Sequence, residues 1–309
     1  MTPFPAAATM ERMAAQGLSF EPLRLRVLEQ VDGLVRSLAA IRPAAWADPG
    51  QQVAGALLEA RRRLEDHIRF RFGRGRGAPA IVVLFGGTGV GKSTLLNTLA
   101  GKPVTETSSR RPCTTQPLLY HHQSATEALR APDFLAGYAK GPPEPGQPKP
   151  GSMTVETMAH EDATLASVVL VDAPDYDSVE GANRRTAEDL YRIADLVVFV
   201  VNPSKYADEE TWKAIRRARA EKKATAWVFN RAEPEDPAAE DFRRLLEGAP
   251  VVVIPRDTEA HAAGMVRDPA ARDALRGILR DLLLGDAADR LRLAELRRSW
   301  DAFASGLDR

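Results

Sequence analysis

Gly86-Gly87-Thr88-Gly89-Val90-Gly91-Lys92-Ser93-Thr94 follows directly on the apolar run Ala80–Phe85 and leads into Leu95-Leu96-Asn97-Thr98-Leu99. Glycine, four residues, glycine, lysine and a hydroxyl residue, set between a short buried strand and an apolar helix, is the pattern of a loop that cradles phosphate. At this composition the four fixed positions would coincide by chance on the order of four times in a thousand chains. Only 8 of the 42 basic residues are lysines, so a lysine at this position is more telling than it would be in a lysine-rich chain. The glycines let successive backbone N–H groups converge on an anion without Cβ obstruction, and the helix N-terminus adds partial positive charge. Lys92 is expected to bridge terminal phosphate oxygens, and Ser93 to offer its hydroxyl to Mg²⁺.

The strand-then-helix pattern recurs downstream. Val168–Val171, Leu196–Val201, Thr225–Phe229 and Val251–Ile254 are short apolar runs, separated by polar helical stretches near 181–194, 209–222 and 236–247. This alternation predicts an α/β domain with a mostly parallel sheet between helices. Leu118–His122 and Thr154–Met158 read as strands that pair with the Val168 run. Upstream, Leu23, Val27, Val31, Leu34, Val35 and Leu38 recur at helical spacing, and Val53, Leu57, Leu64 and Ile68 restart the period, so 21–72 reads as two helices. Downstream, the apolar periods predict closing helices over 270–284 and 286–305. The expected organisation is a loose N-terminus and helical segment at 1–77, an α/β domain of the P-loop type at 78–260, and C-terminal helices at 261–309. Gly141–Gly151, with its many prolines, reads as a solvated insertion loop.

A magnesium-bound phosphate calls for a carboxylate at the carboxyl end of a neighbouring strand. The run Val168–Val171 carries the chain to Asp172 at that edge, where ligands of parallel sheets sit. Asp172 is expected to hold Mg²⁺ through a water. The base has to be read elsewhere, and Asn230-Arg231-Ala232-Glu233 follows directly on the run Thr225–Phe229. Guanine offers its N1–H and exocyclic amino group as paired donors, which the single carboxylate of Glu233 can accept; adenine lacks that pair. Asn230 is placed to bond the base edge and the loop backbone, and the aliphatic stem of Arg231 to lie across the ring.

The ordered set of phosphate loop, Thr114-Thr115 before a strand, Asp172-Ala173-Pro174-Asp175 after one and Asn230-Arg231-Ala232-Glu233 after another resembles the translation-factor-related P-loop GTPases. The stretches Arg111–Thr115, Asp172–Ser178 and Pro203–Asp208 are most similar to bacterial dynamin-like and Era-like GTPases, and the likeness covers roughly 80–256. It implies a G domain that binds GTP with Mg²⁺ and hydrolyses GTP to GDP and phosphate. By position it implies Thr115 as the switch threonine that closes on Mg²⁺ and γ-phosphate, so that Ser93, Thr115 and Asp172 form the metal set. The backbone N–H of Asp175 would reach the γ-phosphate. Arg110 and Arg111 precede Thr115, and an arginine there would stabilise transition-state charge. Lys92, Thr115 and Arg111 are therefore the expected catalytic residues.

This chain departs from the family pattern at several positions. Asp175 stands where the family has glycine, and Tyr176 where many signalling members have glutamine; a phenol cannot orient water as an amide does, so slow intrinsic hydrolysis is expected. Glu233 replaces aspartate, and Pro255-Arg256 replaces the small-residue motif after the last strand. Gly89 replaces the asparagine of potassium-activated members.

Lys+Arg and Asp+Glu balance at 42 each, which argues against a polyanion-coating protein and leaves no strong nucleic-acid signal. Through residue 78 the chain carries 12 basic and 8 acidic side chains, read first as a solvated helix face, with peripheral contact to RNA or anionic lipid as the other expectation. Nothing approaches the ~18 consecutive apolar residues of a membrane span. The single cysteine, Cys113, has no internal partner, and the start lacks the features of a secretory signal, so a cytoplasmic location is expected. His121, His122 and His160 lack metal-ligand spacing and read as structural. The expected role is a nucleotide-dependent switch or assembly factor with a protein partner, a nucleotide-dependent dimer being among the expected states. The alternatives are a dynamin-like membrane-associated GTPase and a nucleotide-binding module with little turnover.

Overall fold

The computed structural model describes residues 20–41, 55, 57, 64, 69–74, 78–107, 116–131, 134–135, 137–143, 153–233, 235–283, 291–292, 294–295 and 298. The first elements are α1 (Phe20–Ala40), the short α2 (Phe70–Gly73), β1 (Ala80–Phe85), α3 (Lys92–Ala100), β2 (Leu118–His122), α4 (Thr126–Arg130), β3 (Ala139–Gly141) and β4 (Thr154–His160). There follow β5 (Val168–Asp172), α5 (Gly181–Ile193), β6 (Leu196–Val201), α6 (Glu209–Ala220), β7 (Thr225–Asn230), α7 (Pro237–Leu245), β8 (Val251–Ile254), α8 (Ala260–Ala263) and α9 (Pro269–Leu283). Most of the helix expected over 53–72, the proline-rich 144–150 and most of 286–305 lie outside the described residues.

The chain divides into two compact units, one of Met1–Ala78, Ala128–Ala136 and Arg292–Arg309, the other of Pro79–Glu127 and Gly137–Leu291. In the first, Val31 on α1 and Leu64 are fully buried, and Arg69 Nε pairs with Asp32 at 2.9 Å. Phe70 packs on Phe134 with ring centroids 5.1 Å apart, and the Arg74 guanidinium lies over the Phe70 ring, 5.4 Å from its centroid.

The second unit is built on an eight-stranded sheet in the order β3-β4-β2-β5-β1-β6-β7-β8. From β5 to β8 neighbouring strands pair in parallel, whereas β2 runs antiparallel to β5. β4 pairs in parallel with β2, and β3 with β4, so these three strands run against the other five. The expected direct pairing of the Thr154 strand with the Val168 strand is corrected by this order. Both edges of β5 are already taken, by β1 and β2, so β4 can only add to the free edge of β2. β3 was not expected: its residues Ala139-Lys140-Gly141 have no strand preference of their own and depend on pairing with Thr154–Glu156.

β1 and β5 are buried at every position because helices cover both faces of the sheet. Ala80, Val82 and Leu84 join one core with Leu95, Leu96 and Leu99 of α3 and Leu275, Leu279 and Leu283 of α9. The alternate residues face an aromatic layer. Phe85 meets Tyr176, Tyr191 and Phe199; Trp227 stacks on Phe199, and Phe242 of α7 meets Trp227 and Phe229. Two dissimilar cores fix which way each strand faces, since a one-residue slip would exchange them. Among the described residues no helix is long and apolar enough to cross a membrane.

Candidate functional site

The phosphate loop leaves the carboxyl end of β1 at the centre of the sheet. A Cβ on Gly86 would lie 2.5 Å from the backbone oxygen of Val200 on β6, so only glycine lets the loop pass this close to the next strand. Gly91 adopts φ 99° and caps the N-terminus of α3, a left-handed conformation that turns the chain into the helix. Gly89 is also left-handed, at φ 77°. Val90 is buried, Thr94 accepts through its carbonyl from the Thr98 hydroxyl at 2.7 Å, and α3 is thereby braced behind the loop.

Lys92 is 5% exposed and donates to Gly86 O at 3.0 Å, Gly87 O at 3.3 Å and Asp175 Oδ1 at 2.5 Å. Ser93 donates its hydroxyl to Asp172 Oδ2 at 2.6 Å. Asp172 is completely buried, and its other oxygen, Oδ1, has no hydrogen-bond partner. Burial pushes its pKa up to about 6, against the opposing pull of Lys92 and Ser93. A buried carboxylate oxygen left without a donor costs free energy unless something compensates it. A hard cation or its bound water does so, and the Ser93–Asp172 pair therefore fits Mg²⁺. Among the described residues no group of three or more His, Cys, Asp or Glu side chains could hold a metal.

The segment after β5 alternates sides. Asp175 reaches Lys92; Tyr176 turns into the core, its ring stacked on Phe85 at 5.0 Å and its hydroxyl 2.8 Å from Thr211 Oγ1; Asp177 turns back to the loop. Asp177 Oδ1 accepts from both N and Oγ1 of Thr88 at 2.8 Å, and Lys205 Nζ holds Oδ2 at 3.2 Å. Burial opposes the charge on Asp177, but the bonds from Thr88 and Lys205 hold its carboxyl below the usual range. Neither Asp177 nor Lys205 carries a motif that assigns it a role from sequence. Residues 176 and 177 form a turn closed by Ser178 N donating to Asp175 O at 3.2 Å, and this turn, not visible in the sequence, aims Asp177 at Thr88.

At the end of β7, Asn230 is 2% exposed and donates from Nδ2 to Val90 O at 2.8 Å. Arg231, at φ 60°, sends Nη1 to Gly89 O at 3.1 Å. Burial and the nearby Arg256 both lower the pKa of Arg231. Glu233 is exposed beyond this turn, and Arg256 is exposed after β8. Asn97 of α3, also unassigned from sequence, accepts from Val104 N and Thr105 N and donates to Thr105 O and Gly264 O, all within 3.0 Å. It ties α3 to the segment at Val104–Thr105 and to Gly264 at the end of α8. The structure thus brings Gly86–Thr94, Asp172, Asp175, Asn230 and Arg231 together. Thr115 and Arg111, with Arg110, Cys113 and Thr114, lie outside the described residues.

Residues 81–231 match the family described as 50S ribosome-binding GTPase. Among solved structures, the chain is similar to Era in complex with MgGDPNP and nucleotides 1506–1542 of 16S ribosomal RNA, at 16% identity and TM-score 0.41 over 66% of this chain and 56% of that one. It is similar to a member of an oligomerised bacterial dynamin pair at 12% identity and TM-score 0.49, over 94% of this chain and 45% of that one. A variant of Aquifex aeolicus Era bound to GDP·AlF4⁻ matches at 15% identity and TM-score 0.42, over 66% of this chain and 56% of that one. The chain spans about half the length of these solved chains, between 45% and 56%. No curated protein matches it. The family match runs from β1 through the Asn230–Arg231 turn, just under half of the chain, and over this stretch the chain is similar to the GTPase domains of that family.

Proposed function

We propose that the chain binds GTP with Mg²⁺, hydrolyses it slowly, and uses γ-phosphate occupancy to change the surface that a partner protein meets. The observation that carries this is the double tie of Asn230 to Val90 O and Arg231 to Gly89 O. It holds the turn that precedes Glu233 against the phosphate loop. A phosphate loop alone serves adenine and guanine alike; an exposed carboxylate just beyond that turn favours guanine, whose paired donors it can accept.

In this reading the backbone N–H groups of the loop and the N-terminus of α3 receive the β-phosphate, and Lys92 pairs with phosphate oxygens. Ser93 and Asp172 hold Mg²⁺, joined by Thr115. When bound, the ion offsets charge on the transferring phosphoryl group. Arg111 supports the same charge from the segment before β2. Slow turnover is favoured by the placement of Tyr176, whose hydroxyl is engaged by Thr211 and leaves no amide at that position to orient water.

Equilibrium binding of labelled GTP and ATP with Mg²⁺, to the parent and to Glu233→Ala, tests the base assignment. GTP preference in the parent that is lost in the variant supports it; unchanged GTP binding in the variant rejects it. Single-turnover release of phosphate then measures hydrolysis.

A further inference from the structure

The phosphate loop of this chain already carries an anion of its own. Lys92 Nζ lies 2.5 Å from Asp175 Oδ1, and the pair is nearly enclosed, with the lysine side chain 4% and the aspartate side chain 14% exposed. Among the described residues that ammonium also donates to the carbonyls of Gly86 and Gly87. Its charge is therefore met inside the protein, and an incoming phosphate has to replace the carboxylate rather than fill an open place.

The backbone that delivers Asp175 has little freedom to retreat. Tyr176 is anchored in the core by Phe85 and Thr211, and Asp177 is held by Thr88 and by Lys205, which also reaches Asp208 at 3.3 Å. Rotation of the Asp175 side chain can free Lys92; wholesale movement of the segment would break these other bonds. A carboxylate that rotates on a pinned backbone stays close to whatever takes its place.

We infer that Asp175 is a specificity-determining residue that discriminates against the γ-phosphate, biasing the site toward the nucleoside diphosphate. The inference rests on the site being the GTP seat proposed above. A phosphate-loop lysine serves both β- and γ-phosphates, so either nucleotide displaces Asp175. The triphosphate brings additional negative charge beside the displaced carboxylate, where low dielectric strengthens the repulsion. The family's glycine at this position carries no such charge, so the acid itself sets the bias.

The test is equilibrium binding of labelled GDP and of a non-hydrolysable GTP analogue, each with Mg²⁺, to the full chain and to Asp175→Asn, Asp175→Ala and Asp175→Glu, with thermal unfolding to verify folding. In Asn and Ala the triphosphate should tighten by roughly 10-fold or more relative to GDP, while Glu keeps the parent's ratio. Equal changes for both nucleotides, or selective weakening of the triphosphate, overturn the inference and leave the GTP reading intact. Absence of binding by the parent and every folded variant overturns both.

Discussion

Ser93 donates its hydroxyl to Asp172 at 2.6 Å, joining the first turn of α3 to the end of β5 across 79 residues of sequence. The other oxygen of Asp172 is buried without a hydrogen-bond partner, and burial raises the pKa of this acid to about 6. A raised carboxyl pKa favours the folded state below the unfolded value, and that advantage is gone once pH has risen through about 6. At pH 7.5 the unliganded protein therefore carries the cost of a buried charge. Asp172→Asn removes it, and unliganded stability should rise by about 1–3 kcal/mol, while Mg²⁺-dependent nucleotide affinity falls at least ~10-fold. Thermal melts with and without Mg²⁺, beside nucleotide titrations, measure both; a variant that is less stable without ligand contradicts the assignment.

Tyr176 belongs to the core, through Phe85 and Thr211. Tyr176→Phe keeps the ring and loses one hydroxyl bond, so stability should fall by about 1 kcal/mol with single-turnover hydrolysis unchanged. A fall in hydrolysis much larger than the stability loss would place the phenol in the chemistry.

Gly91 combines φ 99° with a site where a Cβ would collide with Asn230 Nδ2. Gly91→Ala should strain the entry to α3 and push Asn230 off Val90 O, costing about 2–4 kcal/mol. Chemical denaturation checks this, and a change below about 0.5 kcal/mol would show that the turn relaxes freely.

Arg276 on α9 donates to Leu99 O at 3.0 Å and to Asp162 Oδ2 at 2.9 Å, covering the C-terminal carbonyls of α3. Arg276→Ala should destabilise by about 1–3 kcal/mol, with nucleotide affinity shifted less than ~3-fold. Parallel melts and titrations decide it; a large loss of affinity at modest destabilisation would tie α9 to the site.

His160 at the end of β4 stacks on Tyr120 at 4.3 Å, accepts Asp162 N through Nδ1 at 3.1 Å and leaves Nε2 buried without a partner. Burial lowers its pKa to about 4, with His122, His121 and Lys102 acting the same way and Asp162 against them. Because the folded state resists the proton, stability is complete above about pH 6.5 and declines as pH falls toward 4. His160→Gln should flatten this slope by roughly 1–2 kcal/mol once screening is allowed for. Melts between pH 7 and 4 would expose an unchanged slope, which rejects the role.

Fold class and most strand positions were legible because their signals are local. Ala80–Phe85, Leu118–His122, Leu196–Val201 and Val251–Ile254 coincide with the apolar runs that announced them. The loop between β1 and α3 was legible for the same reason, since one contiguous stretch supplies its glycines, its lysine and its serine. Strand neighbours were not, because pairing depends on which edges are free: β1 and β2 occupy both edges of β5, and β4 pairs with β2. Nor was β3, whose Ala-Lys-Gly is a strand only through its partner.

The sequence by itself determined the α/β class, the phosphate loop and the acidic and asparagine-bearing strand ends, since each is written in consecutive residues whose conformational preferences and spacing act over a few positions. Tertiary structure alone decided that Asp175 lies on Lys92, that Tyr176 faces the core, and that Asp177 and Lys205 hold Thr88. These relationships join segments more than 25 residues apart, and which side chain reaches which is settled only when the sheet's order brings β5 and β6 to either side of β1.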